Sequence, residues 1–184
     1  MKNVLHLFAQ STRELHRIST LSVAGILLAV SVAISTFTVV ISSTLQIRFD
    51  FLPLAAGGML FGPVVGGVMG VASDILDYFV RPNGPFFPGF TCSALLTGVL
   101  YGCFLYKKPV AWKRVVLVSA ISTVLVNLLL NSVWLSVMYH NAFLVLLTGR
   151  IIQNLILFPI NTALLLLVLR AIQEIRVRTT GTAA

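Results

Sequence analysis

Long apolar runs alternate with short polar breaks along this chain. Six apolar segments stand out, at roughly 19–45, 51–61, 63–79, 91–106, 115–138 and 148–172. Most are of a length that carries a helix across a bilayer. The second is short, and only Gly62-Pro63 separates it from the third. Read as one kinked helix, 51–79 would leave five spans. One break differs from the rest: Arg81-Pro-Asn-Gly-Pro-Phe-Phe-Pro-Gly-Phe-Thr91 carries three prolines, two glycines and three phenylalanines. The first two residue types exclude a regular helix through the segment, and the third makes it too apolar for a solvated linker. A loop of this kind is expected to pack over something, and in a membrane protein that something is often a ligand.

Charge decides between five spans and six. With six spans and the N-terminus inside, the inner ends hold Lys2, Arg13, Arg17, Lys107, Lys108, Lys113, Arg114, Arg170, Arg176 and Arg178, and the outer loops hold only Arg48 and Arg81. Five spans would put Lys107 to Arg114 outside, against the positive-inside bias. The expectation is an all-α integral membrane protein of six transmembrane helices with both termini cytoplasmic, forming one membrane domain over 1–184. Composition agrees, with 58% hydrophobic and 10% charged residues, well beyond a soluble domain. The net charge of +8 comes from short basic clusters beside apolar spans, which fits anionic headgroups better than nucleic acid.

The first apolar run is far longer than the core of a signal peptide and has no clear small-residue cleavage site at its end, so it is expected to remain as a span. Ahead of it, Ser11-Thr12-Arg13-Glu14 reads as a capping box opening a short interfacial helix within 1–18. The segment 173–184 is expected to be a flexible cytoplasmic tail.

Polar residues inside the spans recur at helical spacing. Asn127, Asn131 and Trp134 share one face of the fifth segment; Arg150, Asn154 and Asn161 share one face of the sixth, with Pro159 nearby; Asp74, Asp77 and Arg81 close the third. With the predicted topology these groups, together with Arg48 and Asp50, converge on an outward-opening cup beneath the Phe-rich loop. Each has a structural reading beside the functional one. Arg150 either snorkels to headgroups or faces a cavity. Asn127 and Asn131 either bridge helices or meet a ligand. Trp134 alone reads as an interfacial anchor. Asp74 and Asp77 either pair with Arg81 or Arg48 or relay protons. Tyr139-His140-Asn141 reads as a polar turn.

Enzyme signatures are missing: the chain has no HExxH, GxSxG, CxxC or Walker GxxxxGK[ST] motif. If transport is driven by ATP, another subunit must hydrolyse it. Cys92 and Cys103 lie eleven residues apart in one predicted helix. That is roughly 16 Å, too far for a disulfide. Ala29 and Ala33 form a small-xxx-small pattern on the first span, which permits close helix approach.

Over roughly residues 15–175 the chain resembles the substrate-binding S components of energy-coupling factor (ECF) vitamin transporters, and within them the folate-specific branch. The residues that carry the resemblance are Phe51-Leu-Pro-Leu54, Gly58-Met-Leu-Phe-Gly-Pro63, Gly84-Pro-Phe-Phe-Pro-Gly-Phe-Thr91, Leu130-Asn-Ser-Val-Trp-Leu135, and Arg150 with Pro159-Ile160 beyond it. The resemblance implies a multi-pass protein of the bacterial cell membrane, with no cofactor of its own, that binds folate with high affinity outside. It implies delivery to an energising module of a transmembrane coupling protein and two ATPases, with toppling of the S component in the membrane. It also implies that the pocket is built by helices four to six and the loops after helices one and three, and that Ala29 and Ala33 dock the coupling protein.

Folate chemistry fits the candidate residues. Its flat pterin asks for an apolar slot with amide or carboxylate partners, and Phe86, Phe87, Phe90 and Trp134 can stack while Asn131, Asn154 and Asp77 read the edge. The two carboxylates of its glutamate suit Arg48, Arg81 or Arg150. The expectation puts the pterin deep against helices five and six. Three other readings stand beside this one: an S component for another vitamin such as riboflavin or thiamine, a stand-alone proton-coupled carrier using Asp74 or Asp77, and a non-transporting membrane interaction protein.

Overall fold

The computed structural model describes residues 2–37, 39–40, 46–81, 85–139 and 143–181. Helix α1 (Lys2–Leu15) precedes α2 (Ile18–Ser35); a two-residue antiparallel ribbon, β1 (Val39–Val40) with β2 (Gln46–Ile47), leads into α3 (Phe51–Phe61) and α4 (Pro63–Val80). Then come α5 (Pro88–Leu105), a rod made of α6 (Trp112–Ser122), a π-helical stretch (Thr123–Leu130) and α7 (Asn131–Tyr139), and finally α8 (Phe143–Gly181). Among the described residues five helical stretches are long and apolar enough to cross a membrane: Ile18–Ser35, Pro63–Val80, Pro88–Leu105, Trp112–Met138 and Arg150–Ile175. The protein is therefore a helical, multi-pass membrane protein. Its large apolar side chains line the outside as well as the core, as lipid-facing helices require.

The short apolar helix α3 is a separate element. Gly62 joins it to α4 with φ 92° and ψ −174°, a conformation open to glycine alone. The chain folds back there, because a Cβ on Gly66 would sit 3.1 Å from the Cα of Gly58. Pro53 to Met59 are buried without a gap, so α3 is a central helix wrapped by the others rather than a face of the bundle. Small residues let α4 and α5 approach backbone to backbone: a Cβ on Gly66 or on Gly98 would collide with the other's carbonyl. Both cysteines are free.

Three boundaries differ from the sequence reading. The first span ends at Ser35 rather than at 45; Val39–Val40 turn into the ribbon, where β-branched residues pack at least as well as in a helix, and 41–45 lie outside the described residues. Helix α5 begins at Pro88, earlier than 91, because a proline suits the first helical position, whose N–H needs no partner. Phe90 and Thr91 are thus helical. Of the polar turn expected at Tyr139–Asn141, Tyr139 closes α7 and 140–141 lie outside the described residues. The expected flexible tail is helical through Gly181, and Gln173 accepts a hydrogen bond from the Val110 N–H at 2.8 Å, tying α8 to the α5–α6 connection.

The capping box is also corrected. Ser11 lies in the interior of α1 and is fully buried. It donates to the Phe61 carbonyl at 2.8 Å and accepts from the N–H groups of Val64 and Val65 at 3.0 and 3.3 Å. It caps α4 from another helix, filling the place that a local N-cap side chain would take. Glu14, the expected box partner, accepts instead from Thr20 and pairs with Arg17. Helix α1 thereby sits at the α3–α4 joint, at one end of the bundle.

Candidate functional site

At the end of the bundle opposite α1, polar side chains from five elements surround a chain of three chambers. The deepest, about 350 Å³, is lined by Asn127, Asn131, Arg150, Gln153, Asn154 and Asn161, with hydroxyls of Thr97, Ser119, Ser122, Thr123 and Thr162. The middle one, about 250 Å³, is shared by Asp50, Asp74, Asp77, Phe90, Asn127 and Asn131. The third, about 170 Å³, lies under Pro85, Phe86 and Phe87, between Asp77, Arg81 and Met138. Arg48 lines all three. The chambers share walls, and together they match the size range of small-molecule pockets.

Helix α8 supplies the deep wall because Arg150, Asn154, Leu157 and Asn161 repeat every turn or so on one face. Arg150 donates to the Asn127 carbonyl at 3.0 Å and Asn154 donates to the Arg150 carbonyl at 2.9 Å. Among the described residues no carboxylate lies within ion-pair distance of Arg150. A cation inside a span without a counter-ion is costly unless something anionic arrives. The deep chamber also holds orphan acceptors. Among the described residues, Asn131 Oδ1, Asn161 Oδ1 and Thr162 Oγ1 are buried with no partner, and native structures seldom leave such atoms unmatched. A ligand that presents N–H donors would satisfy both amide oxygens.

The mouth is organised by charge. Arg48 reaches Asp50 through Nε at 3.3 Å and Nη2 at 2.7 Å, and its Nη2 lies 3.6 Å from Asp77. Asp50 is the main reason that the Arg48 guanidinium holds its proton above its ordinary range, against the cost of desolvation. Asp77 also accepts from Ser35 at 2.7 Å, and Arg81 donates to the Ser35 carbonyl at 3.2 Å. Asp74 accepts from Thr91 at 2.7 Å. Thus α2, the β2–α3 connection, α4 and the first turn of α5 are bonded to one another around the opening. Of the ion pairs weighed for the acidic pair, Asp77 makes one with Arg48, while Asp74 bonds the Thr91 hydroxyl and Arg81 bonds a carbonyl.

The sequence-predicted residues fall into two groups. Arg48, Asp77, Phe86, Phe87, Phe90, Asn131, Arg150 and Asn154 all line the chambers. Trp134 lines none of them. Its ring packs against Phe87 at 5.7 Å between centroids, and its N–H bonds to Ser93 at 3.1 Å. Asn131 and Trp134 lie three residues apart in α7, about 60° apart around the helix axis, and the indole turns from the chambers toward α5. Phe87 in turn meets Phe90 edge to face at 6.1 Å, and Phe86 meets Tyr78 at 5.2 Å. Ala29 and Ala33 are exposed one turn apart on α2, away from the chambers. Sequence reasoning missed Gln153 and the hydroxyl lining. Asn161, on the Arg150 stripe, carried the signal needed to find it.

A helical membrane bundle with a polar, amide-lined cavity, a basic group with no counter-ion among the described residues and aromatic rings over the mouth is a solute-binding membrane protein. Residues 19–169 match the family described as "ECF transporter, substrate-specific component". Two similar proteins are folate transporters FolT. The one from Clostridium novyi (strain NT) is 37% identical over 145 residues, 79% of this chain and 84% of that one. The one from Leuconostoc mesenteroides is 31% identical over 146 residues, 76% of this chain and 78% of that one. A crystal structure of FolT bound with folic acid superposes with a TM-score of 0.74 at 36% identity, covering 81% of this chain and 91% of the other. The chain belongs to the family of substrate-specific components of energy-coupling factor transporters.

Proposed function

We propose that this protein binds folate as the S component of an ECF importer, capturing it outside a bacterial cell and passing it inward. One observation carries the reading: the likeness, at 36% identity and TM-score 0.74, to a FolT structure with folic acid bound. The chambers supply chemistry that suits the vitamin. Its amino-pyrimidinone edge presents N–H donors to Asn131 and Asn161 in the deep chamber, beside Asn154. Its glutamate brings carboxylates to Arg150, which lacks a counter-ion, and toward Arg48 and Arg81 at the mouth. Phe86, Phe87 and Phe90 close the mouth, with Trp134 bracing Phe87 from behind.

In this reading α3 counts as a sixth, short span, both termini lie in the cytoplasm, and 1–184 forms one membrane domain. The chain brings no cofactor. A transmembrane coupling protein docks on the Ala29 and Ala33 face, and two ATPase subunits supply the energy. The bundle topples to release folate inside, and its apolar flanks are compatible with that motion.

A titration of the purified protein with folate, reduced folates, riboflavin and thiamine tests the assignment. Tight binding of folates with no response to the other two is the expected outcome. Preference for riboflavin would move the protein to another vitamin branch. Uptake into proteoliposomes by this chain alone, driven by a pH gradient, would remove it from ATP-driven transport.

A further inference from the structure

On the flank of the bundle, away from the chambers, lies a second cavity of about 510 Å³ with almost wholly apolar walls. It is lined by Val64, Gly67, Val68 and Ala72 of α4, by Leu95 and Val99 of α5, and by Phe8 of α1 at the end where α1 meets α4. Val68 and Leu95 are 52% and 40% exposed, so the groove opens sideways between α4 and α5, where lipid lies. It runs from Val64 to Ile75. At ~1.5 Å per residue that is roughly 16 Å, close to the ~15 Å depth of one leaflet's hydrocarbon. Its length and apolar walls suit a single acyl chain.

Only one end is charged. Where α5 stops near α1, Lys107 and Lys108 follow Tyr106. The Lys107 ammonium bonds to the Gln10 side chain at 2.9 Å, two residues beyond Phe8, and that of Lys108 to the Cys103 carbonyl at 2.9 Å. Both acceptors are neutral, and among the described residues neither lysine meets a carboxylate. Lys107 also holds a left-handed backbone, φ 53°, at a helix end where glycine would cost less. Cys103 lies one turn beyond Val99 on α5, so Lys108 stands at the end of the groove that Phe8 closes.

We propose that this groove binds one anionic phospholipid, its acyl chain between α4 and α5 and its phosphate against Lys107 and Lys108. Charge at one end and hydrocarbon along the rest select a lipid over a partner helix, which would face an apolar slot and leave the lysines unmatched. The Ala29 and Ala33 face of α2 is a different surface.

The test is native mass spectrometry of the full chain released from nanodiscs containing equal phosphatidylglycerol and phosphatidylcholine. One retained phosphatidylglycerol per chain, favoured about tenfold, is expected. Lys107→Gln with Lys108→Gln should abolish the preference, and Ala72→Phe should fill the groove and lose the lipid. The lysine variants lie on the surface and keep the test valid if Ala72→Phe fails to fold. Equal retention of the two lipids by the unaltered chain overturns the proposal. So does a folded Ala72→Phe that retains lipid but no longer assembles with a coupling subunit, since the groove would then be a protein interface.

Discussion

Trp134 donates its indole N–H to the Ser93 hydroxyl across 3.1 Å, joining α7 to α5 while its ring supports Phe87. The bond turns a residue that reads as a membrane anchor into a brace for the aromatic segment over the mouth. Trp134→Phe keeps a ring and removes the N–H. Losing one such bond, about 1 kcal/mol, should speed folate dissociation about fivefold. Trp134→Ala should do more, since Phe87 then loses its neighbour. Stopped-flow dissociation checks both; wild-type rates in the two variants would return Trp134 to the role of an anchor.

Arg150 has one neutral partner, the Asn127 carbonyl, and no carboxylate among the described residues. If folate's glutamate supplies the missing charge, Arg150→Ala should weaken folate about 10–100-fold, the worth of a charge-assisted bond. Pteroate, which lacks the glutamate, should lose little. Calorimetry with the two ligands separates the cases, and equal losses would make Arg150 a structural cation.

The orphan oxygen of Asn161 makes the opposite prediction. Asn161→Leu removes a buried acceptor whose lack of a partner costs the empty protein about 1–3 kcal/mol. The ligand-free variant should therefore unfold at the wild-type temperature or above it. Folate and pteroate should weaken together, because the pterin is common to both. Loss of stability without loss of affinity would place Asn161 in the packing of α8 rather than in the site.

The contrast between these residues explains what could be read along the chain. Arg150, Asn154 and Asn161 were legible because charge and amides are rare in spans and their spacing puts them on one face. Ser119, Ser122 and Thr162 were not, because small hydroxyls are ordinary in membrane helices and their spacing does not set them apart. Trp134 was assigned to the right region but not to its partners, since spacing puts it beside Asn131 and says nothing of the Ser93 hydroxyl and the Phe87 ring that hold it. Ser11 shows a further limit. Its Ser-x-x-Glu signature is local, yet the N–H groups that it caps lie more than fifty residues away. The ribbon was hidden because Val39 and Val40 are as apolar as a helix. The separation of α3 from α4 was legible from punctuation, because only glycine tolerates the turn at position 62.

That distant cap gives a clean stability test. Ser11→Ala leaves the Val64 and Val65 N–H groups unmatched at the start of α4. Losing a cap costs about 0.5–2 kcal/mol, so thermal unfolding in detergent should fall by a few degrees. The chambers lie at the far end of the bundle, so folate affinity in the folded protein should stay within twofold of wild type. A variant that binds poorly while unfolding normally would show that the α3–α4 joint communicates with the site.

Ala29 and Ala33 stand exposed on α2 with Gly25 one turn before them, and a Cβ added at Gly25 would meet nothing within 4 Å. Small side chains on an exposed helix face leave room for a partner helix to approach backbone to backbone. The inward side of α2 carries Thr20, Ala24, Ser31 and Ser35, so bulk added on the outward side should not disturb the bundle. Ala29→Trp or Ala33→Trp should abolish co-purification with the coupling protein and ATPases, and with it folate uptake. Folate affinity of the isolated chain should be unchanged. If affinity falls in step with assembly, the α2 face and the cavity are one structure, and the separation of docking from binding is wrong.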